Sequence, residues 1–376
     1  MSQFDLGVFV VGWALGWLLL WRGRPLPSAS HVDGSANRSA VAVVVPARNE
    51  ADVLGHLLPV LRAQLRPGDE LVVVDDHSTD ETSTLALASG ATVIAAPELP
   101  AGWLGKPNAC WAGARATVAP TVLFVDADVV PAPDLLDRVA TAIAERPDAI
   151  VSVQPWHRTV GPAEQASLMC NIAALMGSGA FTIAGEHLHP NVAFGPVLAV
   201  RRAVYERVGG HGAVRSMHTE DIGLARAVGE TVLFTGRPDT AFRMYPQGLR
   251  QLFDGWTRSI ATGARSTRPW WTLATACWIT AIAGGWWAGG WPTNHPVESL
   301  TVYALSALQV WVLGRRAGSI HPLTALLFPL AIAVFVVIVL RSAVVLLLRR
   351  DVAWKGRTVA SRGGDGPASR SPEPAD

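Results

Sequence analysis

Thr121-Val-Leu-Phe-Val-Asp-Ala-Asp128 is the stretch whose reading decides the fold. Its first five residues are apolar or β-branched with no polar alternation, the habit of a strand buried on both faces of a parallel sheet. Asp126 and Asp128 follow at the carboxyl end of that strand, where open α/β sheets bind their ligands. Two such carboxylates repel, and a hard divalent cation, Mg2+ or Mn2+, relieves the repulsion while bridging to substrate phosphates.

Outward from this stretch the same alternation continues. Strands are expected over 41–45, 71–74, 92–95, 149–153 and 195–200, and helices over 51–65, 80–89, 107–118, 133–145 and 220–228. That spacing predicts an α/β domain whose mostly parallel sheet carries helices on both faces. A second acidic turn, Val74-Asp-Asp-His-Ser-Thr-Asp80, follows the strand at 71–74. Asp75 and Asp76, adjacent acids with no neighbouring cation in sequence, offer acceptors for a base or ribose, whereas Asp80 reads as a helix cap. Lys106, in Gly102-Trp-Leu-Gly-Lys-Pro-Asn108, stands just before a helix and suits a phosphate, although the loop is not a Walker A motif. Thr219-Glu-Asp221 opens another helix, with Thr219 as its cap and two acids complementing the dipole.

Half of the 376 residues are hydrophobic, more than one domain core consumes. The surplus lies in apolar runs at 6–21, 270–291, 300–314 and 322–340, which points to a multi-pass membrane protein. Asp5 before the first run and Trp21-Arg-Gly-Arg24 after it do not fit a cleaved signal peptide. The plan is an anchor at 1–24, a linker at 25–40, a cytoplasmic domain at 41–265, a membrane region of two to three spans at 266–350 and a disordered tail at 351–376. Arg22, Arg24, Arg258, Arg265 and Arg268 place the domain in the cytoplasm. Arg315 and Arg316 belong on that side too, yet a fourth full span would put Arg349, Arg350, Lys355 and Arg357 outside. Either one of the last two apolar segments is re-entrant, or the tail is external. Residues 165–184 read as a buried or membrane-surface helix. The net charge of +1 and scattered basic residues argue against nucleic acid. Cys110, Cys170 and Cys277 are expected to be small buried side chains, and His157, His211 and His218 are not spaced as a metal cluster.

Val45-Pro-Ala-Arg-Asn-Glu50, Val74-Asp-Asp-His-Ser-Thr-Asp80, Asp126-Ala-Asp128 and Thr219-Glu-Asp221, in this order, resemble glycosyltransferase family 2 over about residues 41 to 260. Gly102-Trp-Leu-Gly-Lys106, Ser152-Val-Gln-Pro-Trp-His157, Phe194-Gly-Pro196, Arg243-Met-Tyr-Pro-Gln-Gly248 and Gly255-Trp-Thr257 resemble its carotenoid-acid branch, with hopanoid-associated membrane enzymes as cousins. The resemblance implies the nucleotide-sugar-binding GT-A fold. It implies a donor pocket of Pro46, Glu50, Asp75, Asp76, Lys106 and Asp126, with Asp128 as metal ligand beside Asp126. It also makes Asp221, next to Glu220, the general base of an inverting, Mg2+- or Mn2+-dependent sugar transfer. The expected donor is a UDP-sugar and the expected acceptor a carotenoid acid or related polyisoprenoid held among membrane lipids. Arg243, Tyr245 and Trp256 fall on the acceptor side, and Trp256 reads equally as an interface anchor. Asp254-Gly-Trp-Thr-Arg258 departs from the motif of processive synthases, which argues for single-sugar transfer. A carboxylic acid acceptor is already ionised near neutrality, so a base suits a hydroxyl acceptor more directly. Rival readings are a polyprenyl-phosphate sugar transferase and a silent nucleotide-sugar-binding membrane subunit.

Overall fold

The computed structural model describes residues 3–28, 38–185, 192–263, 267–287, 295–348, 352–354 and 357–359. Helix α1 (Gln3–Leu19) precedes the run β1 (Val41–Ala47), α2 (Ala51–Arg62), β2 (Glu70–Asp75), α3 (Thr82–Ala88), β3 (Thr92–Ala95), α4 (Gly105–Arg115), β4 (Thr121–Val125), β5 (Val129–Val130) and α5 (Leu135–Glu145). Next come β6 (Ile150–Gln154), β7 (Trp156–His157), α6 (Pro162–Ser178), β8 (Val197–Arg201), α7 (Arg202–Arg207), α8 (Gly210–Ala213), α9 (Glu220–Val228), β9 (Thr231–Thr235), β10 (Ala241–Phe242) and α10 (Leu249–Gly263). The chain continues through α11 (Pro269–Gly284), α12 (Pro296–Ala317), α13 (Pro322–Leu326), α14 (Phe328–Leu347), β11 (Val352–Trp354) and β12 (Arg357–Val359).

The main sheet has the order β3-β2-β1-β4-β8-β6-β9. It is parallel throughout except for β8, which runs against both β4 and β6. The apolar strands are buried as their composition requires: all five residues of β4 and the first five of β1 are covered. On one face, α2 contributes Leu54, Leu57, Leu58 and Leu61, spaced for a single helical stripe and fully buried, each stabilising by roughly 1.5–3 kcal/mol. On the other face α4 comes so close that a Cβ on Gly113 would stand 2.4 Å from Val44 Cγ1. Because β8 is antiparallel, its start meets the carboxyl ends of β4 and β6, with Val197 paired to both Val125 and Val153. This brings the Phe194-Gly-Pro196 turn to the Asp126 end of the sheet.

Two helices, α12 and α14, are long and apolar enough to cross a membrane, while α1 and α11 are shorter. Gly12 and Gly16 let α1 pack against α11, at Ala281 and Trp278 respectively. Trp278 Nε1 donates to Gln309 Oε1 (2.9 Å), and Gln309 Nε2 donates to the Trp13 carbonyl (2.7 Å), tying α1, α11 and α12 together. Helix α6 is buried between these helices and α10, as expected for 165–184, and ends at Gly179, whose φ of +69° closes the helix in the left-handed region.

Several expectations are corrected. The apolar run 322–340, which in sequence could be a span or a re-entrant segment, breaks at Leu327, and α14 starts at Phe328 with a proline in its first turn. The first part of the linker is docked rather than loose, because Leu26 is buried and Arg138 donates to the Leu26 and Pro27 carbonyls. Cys110 and Cys170 are buried, but Cys277 is exposed on α11. Within the expected disordered tail, β11 and β12 pair antiparallel, while Arg349, Arg350 and Lys355, like Arg265, lie outside the described residues.

Candidate active site

The turns after β1 and β2 are stitched together before any ligand arrives. Asn49 and His77 both take left-handed backbone conformations, with φ of +52° and +58°. The Asn49 amide donates to Ser78 Oγ (3.0 Å), Thr79 N donates to Asn49 Oδ1 (2.8 Å), and Glu50 N donates to Thr82 Oγ1 (2.9 Å). Asp80 is not the cap of α3, whose N-cap is Glu81 without a side-chain bond, but it accepts from Thr82 N and Ala51 N and so joins the starts of α3 and α2. Asp75 accepts from Ser78 N (2.9 Å) and from the Ser83 hydroxyl. Burial opposes its charge, but these donors outweigh it and hold the carboxyl below the ordinary value. Asp76 is buried, and the premise that it lacks a cation is wrong: Arg48 Nη1 donates to its carbonyl (2.8 Å) and sits 3.7 Å from its carboxylate, with His77 Nδ1 at 3.2 Å.

At the end of β4, Lys106 gathers the acids. Helix α4 begins at Gly105, so Lys106 lies in its first turn, with Nζ 2.8 Å from Asp126 Oδ1 and 3.1 Å from Glu220 Oε1. Asp221, in the first turn of α9, accepts from the Ile222 amide (2.8 Å), and Thr219 makes no side-chain cap. A Cβ on Gly195 would stand 3.3 Å from both Asp221 Oδ2 and Lys106 Nζ, so the glycine marks where these groups converge. Ser152 fixes that turn from β6: its Oγ accepts from Phe194 N (2.6 Å) and donates to the Phe194 carbonyl (3.0 Å), while Asp126 N donates to the Pro196 carbonyl.

The electrostatics follow from crowding. Burial, then the nearby charges of Asp126 and Glu50, push Asp128 up to about 7. Burial, then Glu220, with a smaller contribution from Asp126, push Asp221 up to about 7. Lys106 opposes both shifts, and despite the cost of burial Asp126 and Glu220 hold its ammonium well above the usual lysine value. Among the described residues no three His, Cys, Asp or Glu side chains form a ready metal cage. The donor set at the β4 end is carboxylate oxygen, which fits a hard divalent cation that completes its shell with water and ligand phosphates.

Of the residues expected on the acceptor side, Arg243 pairs with Glu164 (2.6 Å). Tyr245 has a φ of +58°, and its ring fills the place a Cβ on Gly255 would need. Trp256 is not an interface anchor: it is buried, its Nε1 donating to Ser167 Oγ (2.6 Å). His211 is buried against Tyr205 and Phe124, and His157 is fully buried, both in keeping with structural histidines.

Residues 42–209 match the family model of glycosyl transferase family 2. The chain is 32% identical over 334 residues to 4,4'-diaponeurosporenoate glycosyltransferase of Staphylococcus aureus strain MRSA252, covering 85% of this chain and 88% of that relative. The chain belongs to glycosyl transferase family 2. The enzyme of strain USA300 matches this glycosyltransferase with the same identity and coverage. In fold, the glycosyltransferase is similar to mannosyltransferase PcManGT from Pyrobaculum calidifontis, solved with GDP-Man and Mn2+, with a TM-score of 0.54 at 18% identity over 92% of this chain and 96% of that one. The expected GT-A α/β fold is therefore present. Of the site residues expected from sequence, Lys106, Asp126, Asp128, Glu220 and Asp221 converge, and Glu50 borders them. Pro46, Asp75 and Asp76 line the neighbouring strand ends. Glu220 is tied to Lys106. Arg48, Ser152 and Gly195 carry no site role in the sequence reading, and Gly195, expected inside a strand at 195–200, stands ahead of β8, which begins at Val197.

Proposed function

We propose that this glycosyltransferase inverts the anomeric carbon while moving one sugar from a nucleoside-diphosphate sugar, expected to be a UDP-sugar, to a lipophilic acceptor in the membrane, a carotenoid acid or related polyisoprenoid. The observation that carries the reading is the convergence of Asp126, Asp128, Asp221 and Lys106 at the carboxyl end of the central strand β4, in a chain whose apolar helices pack on the same domain. The similarity to 4,4'-diaponeurosporenoate glycosyltransferase over most of both chains supports the acceptor class. Asp75, Asp76, Pro46 and Glu50 hold the nucleoside end, and Lys106 turns from Asp126 to the diphosphate. Mg2+ or Mn2+, held by Asp128 with Asp126, would supply neutralisation of charge on the departing diphosphate. Asp221 receives the acceptor proton when the acceptor is an alcohol. Arg22, Arg24, Arg268, Arg315 and Arg316, close to the ends of the apolar helices, support a multi-pass protein with its catalytic domain on the cytoplasmic side.

The test uses membranes containing the full chain, a UDP-sugar, Mn2+ and either a carotenoid acid or the corresponding carotenoid alcohol, with UDP release and lipid mass spectrometry as readouts. Glycosyl ester formed from the acid, and lost in Asp128→Asn, is the expected result. Product from the alcohol alone, with turnover rising as Asp221 ionises through about pH 7, would replace the acid acceptor by a hydroxyl one. UDP release that is indifferent to Asp128→Asn would overturn the metal assignment.

A further inference from the structure

We propose that residues 318–347 form a re-entrant hairpin, entering the bilayer beside α12 and returning along α14 to the face they left, so that α14 presents lipid tails with an apolar surface and the chain makes no net fourth crossing. This rests on the membrane reading above and goes beyond it. Helices α1 and α12 run parallel: Gln309 bonds Trp13, and Arg316 Nη1 donates to the Leu20 carbonyl (2.8 Å). Arg316 also lies 5.2 Å from the Trp21 ring and 6.0 Å from that of Trp17, a cationic and aromatic belt on the catalytic-domain side. The opposite belt is Trp286, Trp287 and Tyr303, with Trp286 and Tyr303 centred 5.3 Å apart.

The chain after α12 joins these two levels and comes back. Gly318 bridges His157 of the catalytic domain, yet Tyr303 OH donates to the Leu326 carbonyl and its ring lies 5.1 Å from Phe328. Tyr303 is about 21 Å up α12 from Ala317, at 1.5 Å per residue, so residues 318–328 climb most of the way to the far belt. Helix α14 then returns: Ile338 packs with Cys170, Leu252 and Trp256, Ser342 Oγ donates to the Thr257 carbonyl (3.1 Å), and Arg341 pairs with Asp254 (2.6 Å). Those partners lie on α6 and α10.

Residues 318–321 of the climbing segment are non-helical, ahead of the short α13, and hydrocarbon tolerates such backbone only where protein satisfies it. Here it does. Gln165 Nε2 donates to the Ser319 carbonyl (3.0 Å), His321 N donates to Gln165 Oε1 (2.9 Å), Leu323 N donates to His321 Nδ1 (3.2 Å), and Ser319 N donates to the His157 carbonyl (2.9 Å). At the turn, Leu323, Leu326, Leu327 and Leu330 are exposed, as lipid contact requires. The arrangement puts Arg315, Arg316 and Arg341 on one face, removing the charge conflict that four full spans create.

The experiment places single cysteines in the full-length Cys277→Ser protein in cells and labels them with a membrane-impermeant maleimide, before and after opening the membrane. Val118→Cys marks the catalytic domain, Val297→Cys the start of α12, and Leu348→Cys the end of α14; all three native side chains are exposed. Leu348→Cys labelling under the same condition as Val118→Cys, and opposite to Val297→Cys, is expected. Leu348→Cys following Val297→Cys would overturn the hairpin while leaving the spanning of α11 and α12 intact. Val297→Cys following Val118→Cys would overturn that spanning reading, and the hairpin with it.

Discussion

Replacing Gly195 by alanine tests the site at its tightest point. Gly195 does not use the left-handed backbone region, so the added methyl brings no strain of its own. Its cost is local: it would lie 3.3 Å from Asp221 Oδ2, 3.3 Å from Lys106 Nζ and 3.6 Å from Asp221 Cβ. The two polar contacts are closer than ordinary van der Waals packing, so both side chains must retreat by a few tenths of an ångström. A catalytic base works within hydrogen-bond reach of the proton it takes, and misplacement by about 1 Å can cost ~100-fold. A shift of part of that distance should lower kcat by roughly 3- to 30-fold. Donor KM should rise by less than kcat falls, since Asp221 serves the reacting centre and only Lys106 reaches the donor, at its diphosphate. UDP release by detergent-solubilised enzyme, with the melting temperature measured alongside, gives both quantities. A kcat within twofold of wild type would refute the convergence of Asp221 and Lys106 at this glycine; a raised donor KM with unchanged kcat would move Gly195 to the donor pocket.

Asp128→Asn should abolish the rise in melting temperature that Mn2+ produces in the wild type, measured without acceptor so that the readout is independent of turnover. Asp128 and Asp221 are both pushed up to about 7 from an ordinary value of 3.8, so the fold favours their protonated forms. Their contribution to stability is therefore present below about pH 4 and lost as pH rises through about 7. In chelator the melting temperature should fall across that window, and Mn2+ should restore it increasingly toward high pH; a metal effect independent of pH would contradict the carboxylate cluster. Trp256→Phe removes the bond to buried Ser167 and should destabilise by about 1–2 kcal/mol with donor KM unchanged. A changed KM without destabilisation would return Trp256 to a substrate-facing role.

Where structure depends on local pattern, the sequence was readable. The buried strands are continuous apolar runs, and Asp126, Asp128, Asp75 and Asp76 stand at their ends for reasons of chain direction alone. Asp221 and Lys106 were placed near helix starts by the same logic. What escaped was non-local. Arg48 reaches Asp76 only because β1 and β2 are adjacent, and Ser152 reaches Phe194 only because β8 slots in antiparallel between β4 and β6. Trp256 was misjudged because an amphipathic indole near apolar sequence looks alike whether it faces lipid or Ser167. The break at Leu327 was hidden by uniform hydropathy, although Pro329 in the first turn of α14 carried the signal.

The docked strap leading out of α1 has a mechanical consequence. Arg24 accepts from Thr235 N at 2.7 Å, Leu26 is sunk into the core, and Arg138 grips the next carbonyls, so the catalytic domain is bolted to its first apolar helix with little slack. For the membrane-resident acceptor proposed above, a head mounted this way would fix the height of the reaction centre and so act as a gauge, using molecules according to whether their reactive end reaches that level.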